Sequence, residues 1–387
     1  MRRAAIAVVA VGVFLGSWTL LHHLWYASAG EIVDTPGYEN YADAIVAGQV
    51  PYRDFSVEYP PGALVPMLAP RLTASRGNFG EYGHSFEKWM AGAGVVMVLL
   101  VALVASPLRV LLVAVSPLLL GNLMLSRFDL WVAALTVGAV VALALERRAT
   151  SAVALGAAIA TKLFPAVIAP IAVVWIWRRH GRRAALLWLG LVVAVCAAVF
   201  LPFAVIAPDG VRHSFTAQLG RPLQLESLGA AVLIALHNTA GTTLHVFTTM
   251  SQNVSGPGAH AVAVLSSVAQ VAALLAVWVL YARGPQTRER LLAYAAAAVT
   301  AFITFGKVFS PQYMVWLIPL VPLVRNRIAQ VLLVAGLVLT QIEFPARYWA
   351  LADNLRPSIA AVVLARDLVL VALFAALLVQ PGSERVK

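Results

Sequence analysis

The chain has 387 residues, 61% hydrophobic and only 12% charged, with 28 Lys and Arg against 17 Asp and Glu for a net charge of +11. Soluble domains stay near about 45 to 50% apolar, so this composition excludes a soluble globular protein and points to a polytopic membrane protein. Nor does the positive charge mean nucleic acid: basic runs such as RRHGRR (178–183) lie between apolar stretches, where cytoplasmic loops carry their excess of Arg and Lys.

In chain order, Arg2 and Arg3 precede an apolar run from Ala4 to Leu21. A signal peptide cleaved at Ala27-Ser28-Ala29 is one reading. The run exceeds the roughly 7 to 15 residues of a signal-peptide core, and Trp25-Tyr26 form an interfacial aromatic pair, which favours an uncleaved first span near 4–27. Residues 28–85 then form a large outer loop. Its core, 31–62, reads EIVDTPGYENYADAIVAGQVPYRDFSVEYPPG and holds Glu31, Asp34, Glu39, Asp43, Asp54 and Glu58 with four tyrosines. Such a segment does not embed in hydrocarbon. Pro36 and Gly48 bound a helix within it, and either Asp34 or Thr35 is its N-cap.

Span two covers about 86–106. The following stretch, LRVLLVAVSPLLLGN, has about 14 residues where ~30 Å of hydrocarbon needs about 20, so it ends early and leaves Arg127 and Asp129 near the outer surface, facing protein rather than lipid. A fuller span, about 129–145, ends at Glu146-Arg147-Arg148. Arg147-Arg148 and the 178–183 cluster both demand the cytoplasmic side, and one crossing cannot satisfy both. Residues 149–177 therefore turn back, with Lys162 and Pro165 of TKLFPAVIAP at the tip. A lysine at membrane depth costs roughly 2.5 to 3.5 kcal/mol on insertion scales, so Lys162 needs an anion or a wet cavity.

A span near 184–206 carries the single cysteine, Cys196, in an apolar setting that offers neither a disulfide nor a thiol metal site. Residues 207–260 form a second outer region, whose apolar piece 228–236 is too short to cross. Spans near 261–282, 291–305, 312–324, 328–344 and 358–380 bring the expected number to twelve, with both termini cytoplasmic. In this arrangement 16 of the 28 basic residues lie inside and 14 of the 17 acids lie outside or embedded. The chain reads as one integral-membrane domain, 1–387, all-α, without a visible repeat.

An outer loop of carboxylates beside embedded cations suits transfer of a group from an anionic, membrane-bound donor to a hydroxyl. A carboxylate serves as general base, and fixed cations stabilise a departing phosphate. Asp34, a few residues beyond the first span, is the best-placed base; its alternative role is the helix cap. In PYRDFSVEYPPG (51–62), Asp54 and Glu58 bind sugar hydroxyls or act as reserve bases, or else Arg53 pairs with a neighbouring acid in a stiff structural loop. Arg127 and Asp129 belong to the site or pair with each other to close a short hairpin. Lys307, in FGKVFSPQYMVW (305–316), binds substrate or snorkels to the surface. Gln312 and Tyr313 follow Ser310-Pro311 at an expected helix start, where backbone donors favour an anion. The eight histidines show no metal-binding spacing, and no metal is expected.

Several of these stretches resemble glycosyltransferase family 87, the multispanning polyprenol-phosphate-mannose-dependent mannosyltransferases of GT-C type. They are YADAIVAGQVPYRDFSVEYPPG with its Pro-Tyr-x-Asp-Phe and Tyr-Pro-Pro elements, SRFDLW, ATKLFPAVIAPI with its Lys-x-x-Pro, and GKVFSPQYMVWLIPL with its Lys-x-x-Ser-Pro-Gln-Tyr. The resemblance implies a GT-C-like bundle of about twelve helices, several short or re-entrant. It implies a lipid-linked sugar as donor with no further cofactor, a glycolipid or lipoglycan acceptor, an extracytoplasmic active site in the bacterial plasma membrane, inversion, and an aspartate base at Asp34. By the same carry-over Arg127, Lys162 and Lys307 hold the donor phosphate or pyranose, and Arg53, Asp54, Glu58, Tyr59, Asp129, Gln312 and Tyr313 complete the substrate site. Another lipid-linked sugar, such as arabinofuranose, fits the same motifs. The competing classes are a transporter or flippase of lipid-linked sugar, which embedded charges and broken helices also suit, and an inactive membrane scaffold.

Overall fold

A computed structural model describes residues 2–25 and 32–379. The cleavage site considered at 27–29, the aromatic Tyr26, the carboxylate of Glu31 and the C-terminal charges Glu384, Arg385 and Lys387 lie outside the described residues. The chain is helical almost throughout and divides into two compact units, Met1–Arg221 and Pro222–Lys387.

In the first unit, α1 (Arg2–Trp25) leads through α2 (Thr35–Val46) and α3 (Leu64–Leu68) to α4 (Phe79–Ala102). α1 and α4 run antiparallel: Arg3 donates to the Leu103 carbonyl at one end (2.9 Å), and His22 meets Glu87 at the other (2.8 Å). α2 keeps the limits that Pro36 and Gly48 predict, since the chain leaves the helix at Ala47 and Gly48 turns with φ +86°. The expected third crossing is broken into α5 (Pro107–Ala114), α6 (Ser116–Leu120) and α7 (Leu123–Ser126). Pro117 and Gly121 (φ +75°) interrupt it, and the run stops at Arg127 in extended conformation.

α8 (Asp129–Ala144) and α9 (Arg148–Thr161) follow, and the helix ends at Lys162, which is extended (φ −155°, ψ 137°). A 3₁₀ turn, Phe164–Ile168, opens α10 (Ala169–Ile206). α10 is two helices, because Gly181 in the middle of RRHGRR has φ 83° and ψ 169°, a region reserved for glycine. Glu146 pairs with Arg179 (3.1 Å) and His180 (2.8 Å), so the residues flanking 147–178 meet at one end and the segment turns back at Lys162. The second half of α10 packs on α9, where Gly156 lies against the backbone of Val192 and Cys196 Sγ donates to the Gly156 carbonyl. α11 (Pro208–Leu219) ends the unit.

The second unit holds α12 (Leu228–Ala240), an antiparallel hairpin β1 (His245–Thr249) and β2 (Ser251–Ser255), α13 (Ala259–Arg283), α14 (Arg288–Phe305), α15 (Met314–Leu320), α16 (Arg327–Glu343), α17 (Tyr348–Ala352) and α18 (Pro357–Leu378). The hairpin departs from a purely α-helical expectation. HVFTTMSQNVS carries the β-branched Val246, Thr248, Thr249 and Val254, and Met250 takes the left-handed turn position.

Five helical stretches among the described residues, Arg3–Leu24, Phe79–Ala102, Phe164–Ile206, Ala259–Arg283 and Pro357–Leu378, are long and apolar enough to cross a membrane. Gly181 divides the third of them in two. Leu186, Leu187, Val193, Leu201 and Val205 on α10 and Val264, Leu265, Val268 and Val271 on α13 are exposed, a pattern that fits lipid rather than water.

Candidate active site

Of the acidic loop's described carboxylates, most have structural partners. Arg71 reaches Glu39 (2.5 Å) and Asp43 (2.7 Å) with its guanidinium over the Tyr82 ring (4.8 Å), which pins α2 to the 3₁₀ turn Ala69–Leu72. Asp54 accepts from its neighbour Arg53 (2.9 and 3.0 Å) and from the Val50 N–H (2.7 Å). The Arg53 guanidinium, then the Val50 N–H, hold the Asp54 carboxyl down at about 2. These two residues therefore adopt the stiff-loop arrangement. Glu58 is exposed at the rim, and its carbonyl accepts from Gln218 (3.3 Å).

Asp34 differs. Its backbone is already helical (φ −96°, ψ −8°) and its side chain does not cap α2. Instead it pairs with the Arg127 guanidinium, and Tyr38 Oη donates to its Oδ2 (3.3 Å). Arg127 also points toward the Ile32 carbonyl (3.5 Å). Two residues on, Asp129 begins α8 and accepts from Lys162 Nζ at 2.7 Å. The local Arg127–Asp129 hairpin pair is thus replaced by two tertiary pairs. Lys162 has an anion as its partner, the first of the two settings expected for it.

Phe128 stands at the centre, 5.5 Å from Tyr38, 5.0 Å from Tyr59 and with Lys162 Nζ 4.9 Å above its ring. Tyr52 Oη donates to the Tyr59 carbonyl (2.6 Å) and fixes the turn that carries Tyr59. Burial pushes the Tyr38 and Tyr59 phenols up, so both stay protonated donors. The Tyr-Pro-Pro-Gly turn has a second function in the fold. A Cβ on Gly62 would lie 2.6 Å from the Ala160 carbonyl oxygen and 2.9 Å from the Thr161 nitrogen, so the turn presses on the backbone leading into Lys162. Exposure separates the partners: Asp34 is 34% exposed and Lys162 14%, against 4% for Arg127 and 0% for Asp129.

Lys307, Gln312 and Tyr313 belong to the second unit. The Lys307 carbonyl accepts from the Gln224 N–H (3.0 Å), Ser310 Oγ donates to Gln312 Oε1 (2.5 Å), and Tyr313 stacks on Trp316 with ring centroids 4.2 Å apart. The expected helix start is a 3₁₀ turn, Pro311–Tyr313, leading into the seven-residue α15, with Pro311 at the first position, where its missing N–H costs nothing. The second unit also contains a charged cluster that the sequence reading passed over: Arg366 and Asp367 within α18, with Glu226 and Glu343. Its signal was an Arg-Asp pair inside an apolar run. Among the described residues no group of three or more His, Cys, Asp or Glu gathers as a metal site.

The fold is that of a helical membrane protein, and its first unit gathers two carboxylates, two cations and three aromatic rings at one end of α8. The profile of glycosyltransferase family 87 matches residues 57–311, two thirds of the chain, and the protein belongs to that family and is a glycosyltransferase. The matched region includes Glu58, Tyr59, Arg127, Asp129, Lys162 and Lys307; Asp34, Arg53 and Asp54 precede it, and Gln312 and Tyr313 follow it. No curated protein matches the chain.

Proposed function

We propose that the protein transfers a hexosyl group, mannose by family resemblance, from a polyprenol-phosphate sugar to a hydroxyl of a glycolipid or lipoglycan. Transfer occurs with inversion on the extracytoplasmic face of a bacterial plasma membrane. About twelve crossings with both termini cytoplasmic form part of the reading, supported by the excess of Arg in alternate loops.

The observation that carries the reading is the paired constellation of Asp34 with Arg127 and Asp129 with Lys162. In the reaction the acceptor oxygen bonds to the anomeric carbon as the bond from that carbon to the phosphate oxygen breaks. The electron pair leaves with the polyprenyl phosphate, and the acceptor proton passes to Asp34. Arg127 and Lys162 hold the phosphate as its charge grows. Asp34 is the exposed partner of its ion pair, so a donor phosphate that takes the Arg127 fork releases the carboxylate to act as base. Tyr59, with Phe128, walls the sugar, Glu58 serves its rim, and the Arg53–Asp54 pair stiffens the loop that carries them. Asp129 orients Lys162. Lys307, Gln312 and Tyr313 are assigned to substrate binding on the resemblance of GKVFSPQYMVW alone. The donor is a lipid-linked sugar, and the reaction as proposed calls on no cofactor.

The test is incubation of the protein in membranes or detergent with polyprenol-phosphate-mannose, or its arabinofuranose counterpart, and candidate lipid acceptors. The expected result is release of polyprenyl phosphate and a glycosylated lipid of opposite anomeric configuration. Retained configuration would remove the single-base mechanism, and solute counterflow in proteoliposomes without product would replace a transferase by a transporter.

A further inference from the structure

Arg366 sits in the middle of α18, in the sequence AAVVLARDLVLVALF, and is 1% exposed. An ionised side chain there needs a reason, because apolar helices seldom carry one unless it is paired or functional. Its pairing spreads well beyond its own helix. Nε and Nη2 reach Asp367 Oδ1 (3.0 and 2.9 Å), Nη2 also donates to the Glu226 carbonyl (2.5 Å), and Nη1 approaches Glu226 Oε1 (3.4 Å). The face of the guanidinium covers the Phe309 ring at 4.1 Å.

Both ends of that span lead to one segment. Glu226 follows Gln224, whose N–H donates to the Lys307 carbonyl at 3.0 Å, and Ser227 Oγ closes on the Gln224 carbonyl at 2.8 Å and caps α12. Phe309 lies two residues beyond Lys307 and packs on Tyr313 with ring centroids 6.0 Å apart. Residues 307 and 309 are therefore held from two sides, one through Gln224 and one through the arginine. Glu343 adds a third carboxylate, buried at 1%. Burial, then Glu343, pushes the Glu226 carboxyl up, which fits an acid-rich cluster served by one guanidinium.

We propose that Arg366 is a positioning residue for the Lys307–Tyr313 segment, locking its backbone through Glu226 and Gln224 and its side-chain packing through Phe309. The planar fork is what the arrangement uses, since an ammonium cannot bond Glu226 and Asp367 while lying flat on a ring. The consequence for turnover rests on the reading of this segment as donor-binding.

The experiment compares the full-length wild type in detergent with Arg366→Lys, Phe309→Leu and Lys307→Ala, using amide hydrogen exchange and donor kinetics with polyprenol-phosphate-mannose. Both Arg366→Lys and Phe309→Leu keep the net charge and avoid stranding the acids. The expected result is faster exchange over residues 307–313, by about tenfold, with exchange in α8 unchanged. Donor KM rises about fivefold or more while kcat stays within about twofold. Unchanged exchange over 307–313, or a fall in kcat with KM unaltered, overturns the proposal. Faster exchange with Lys307→Ala leaving donor KM at the wild-type value supports positioning by Arg366 and sinks the substrate reading of the segment.

Discussion

The two units bury charge in different ways. At the end of α8 in the first, ions pair one to one, Asp34 with Arg127 and Asp129 with Lys162, and each pair keeps one member partly open. In the second, Glu226 and Asp367 share one guanidinium with the Glu343 carboxyl close by, and every member is at most 2% exposed. An open one-to-one pair can exchange a partner for an incoming phosphate, whereas a sealed, acid-rich cluster has no room for one. Accessibility, more than the presence of buried charge, separates a site from a scaffold.

Removing one cation from each unit should break or sharpen this contrast. Arg366→Met strands three carboxylates in a sealed setting, and a loss of about 3 to 5 kcal/mol is expected, read as reduced protein in the membrane and a lowered Tm. Lys162→Met should cost less, because Asp129 then lies beside a position that water can reach, and Lys162→Met with Asp129→Asn should restore much of the Tm without restoring activity. Equal destabilisation by the two single variants would remove the distinction between the units. Gly62→Ala places a methyl against the Ala160 carbonyl and shifts the Lys162 tip. A displacement of that kind costs about 10²-fold in kcat/KM with the protein still folded; wild-type kinetics would show that the turn does not set the lysine.

The smallest effect is expected at the exposed Arg53–Asp54 pair. Asp54→Asn should leave turnover within about twofold of wild type, as exposed ion pairs usually do. The Asp54 carboxyl is held at about 2 against an ordinary 3.8, so the stability it lends is fully present above the ordinary value and is lost as pH falls through about 2. Exchange at the Val50 amide should therefore quicken only below about pH 4 relative to its intrinsic rate. Quickening near neutral pH would mean that the pair does not hold the loop.

Local chemistry was legible in the sequence, and pairing across the fold was not. Pro36 and Gly48 bound α2, and the two basic clusters around 147–183 foretold a segment that turns back at Lys162, because both signals are written in neighbouring residues. Arg127 and Asp129 looked like partners because they are two residues apart, yet each binds a residue dozens of positions away. Closeness to the first span already favoured Asp34 among the loop's acids; that Arg71 claims Glu39 and Asp43 became visible only in the fold. Arg366-Asp367 escaped notice because the pair is neutral and leaves the apolar character of α18 intact. Gly62 had no signal beyond the turn it ends; its close approach to Ala160 arises only in the packed unit.

The central claim is that Asp34, alone among the loop's described carboxylates, takes the acceptor proton. It is tested most directly by steady-state transfer from polyprenol-phosphate-mannose in Asp34→Asn, with Asp54→Asn assayed beside it. A drop in kcat of about 10² to 10⁴-fold for Asp34→Asn at normal membrane level, against near-normal turnover for Asp54→Asn, is the expected result. Wild-type turnover in Asp34→Asn would contradict it.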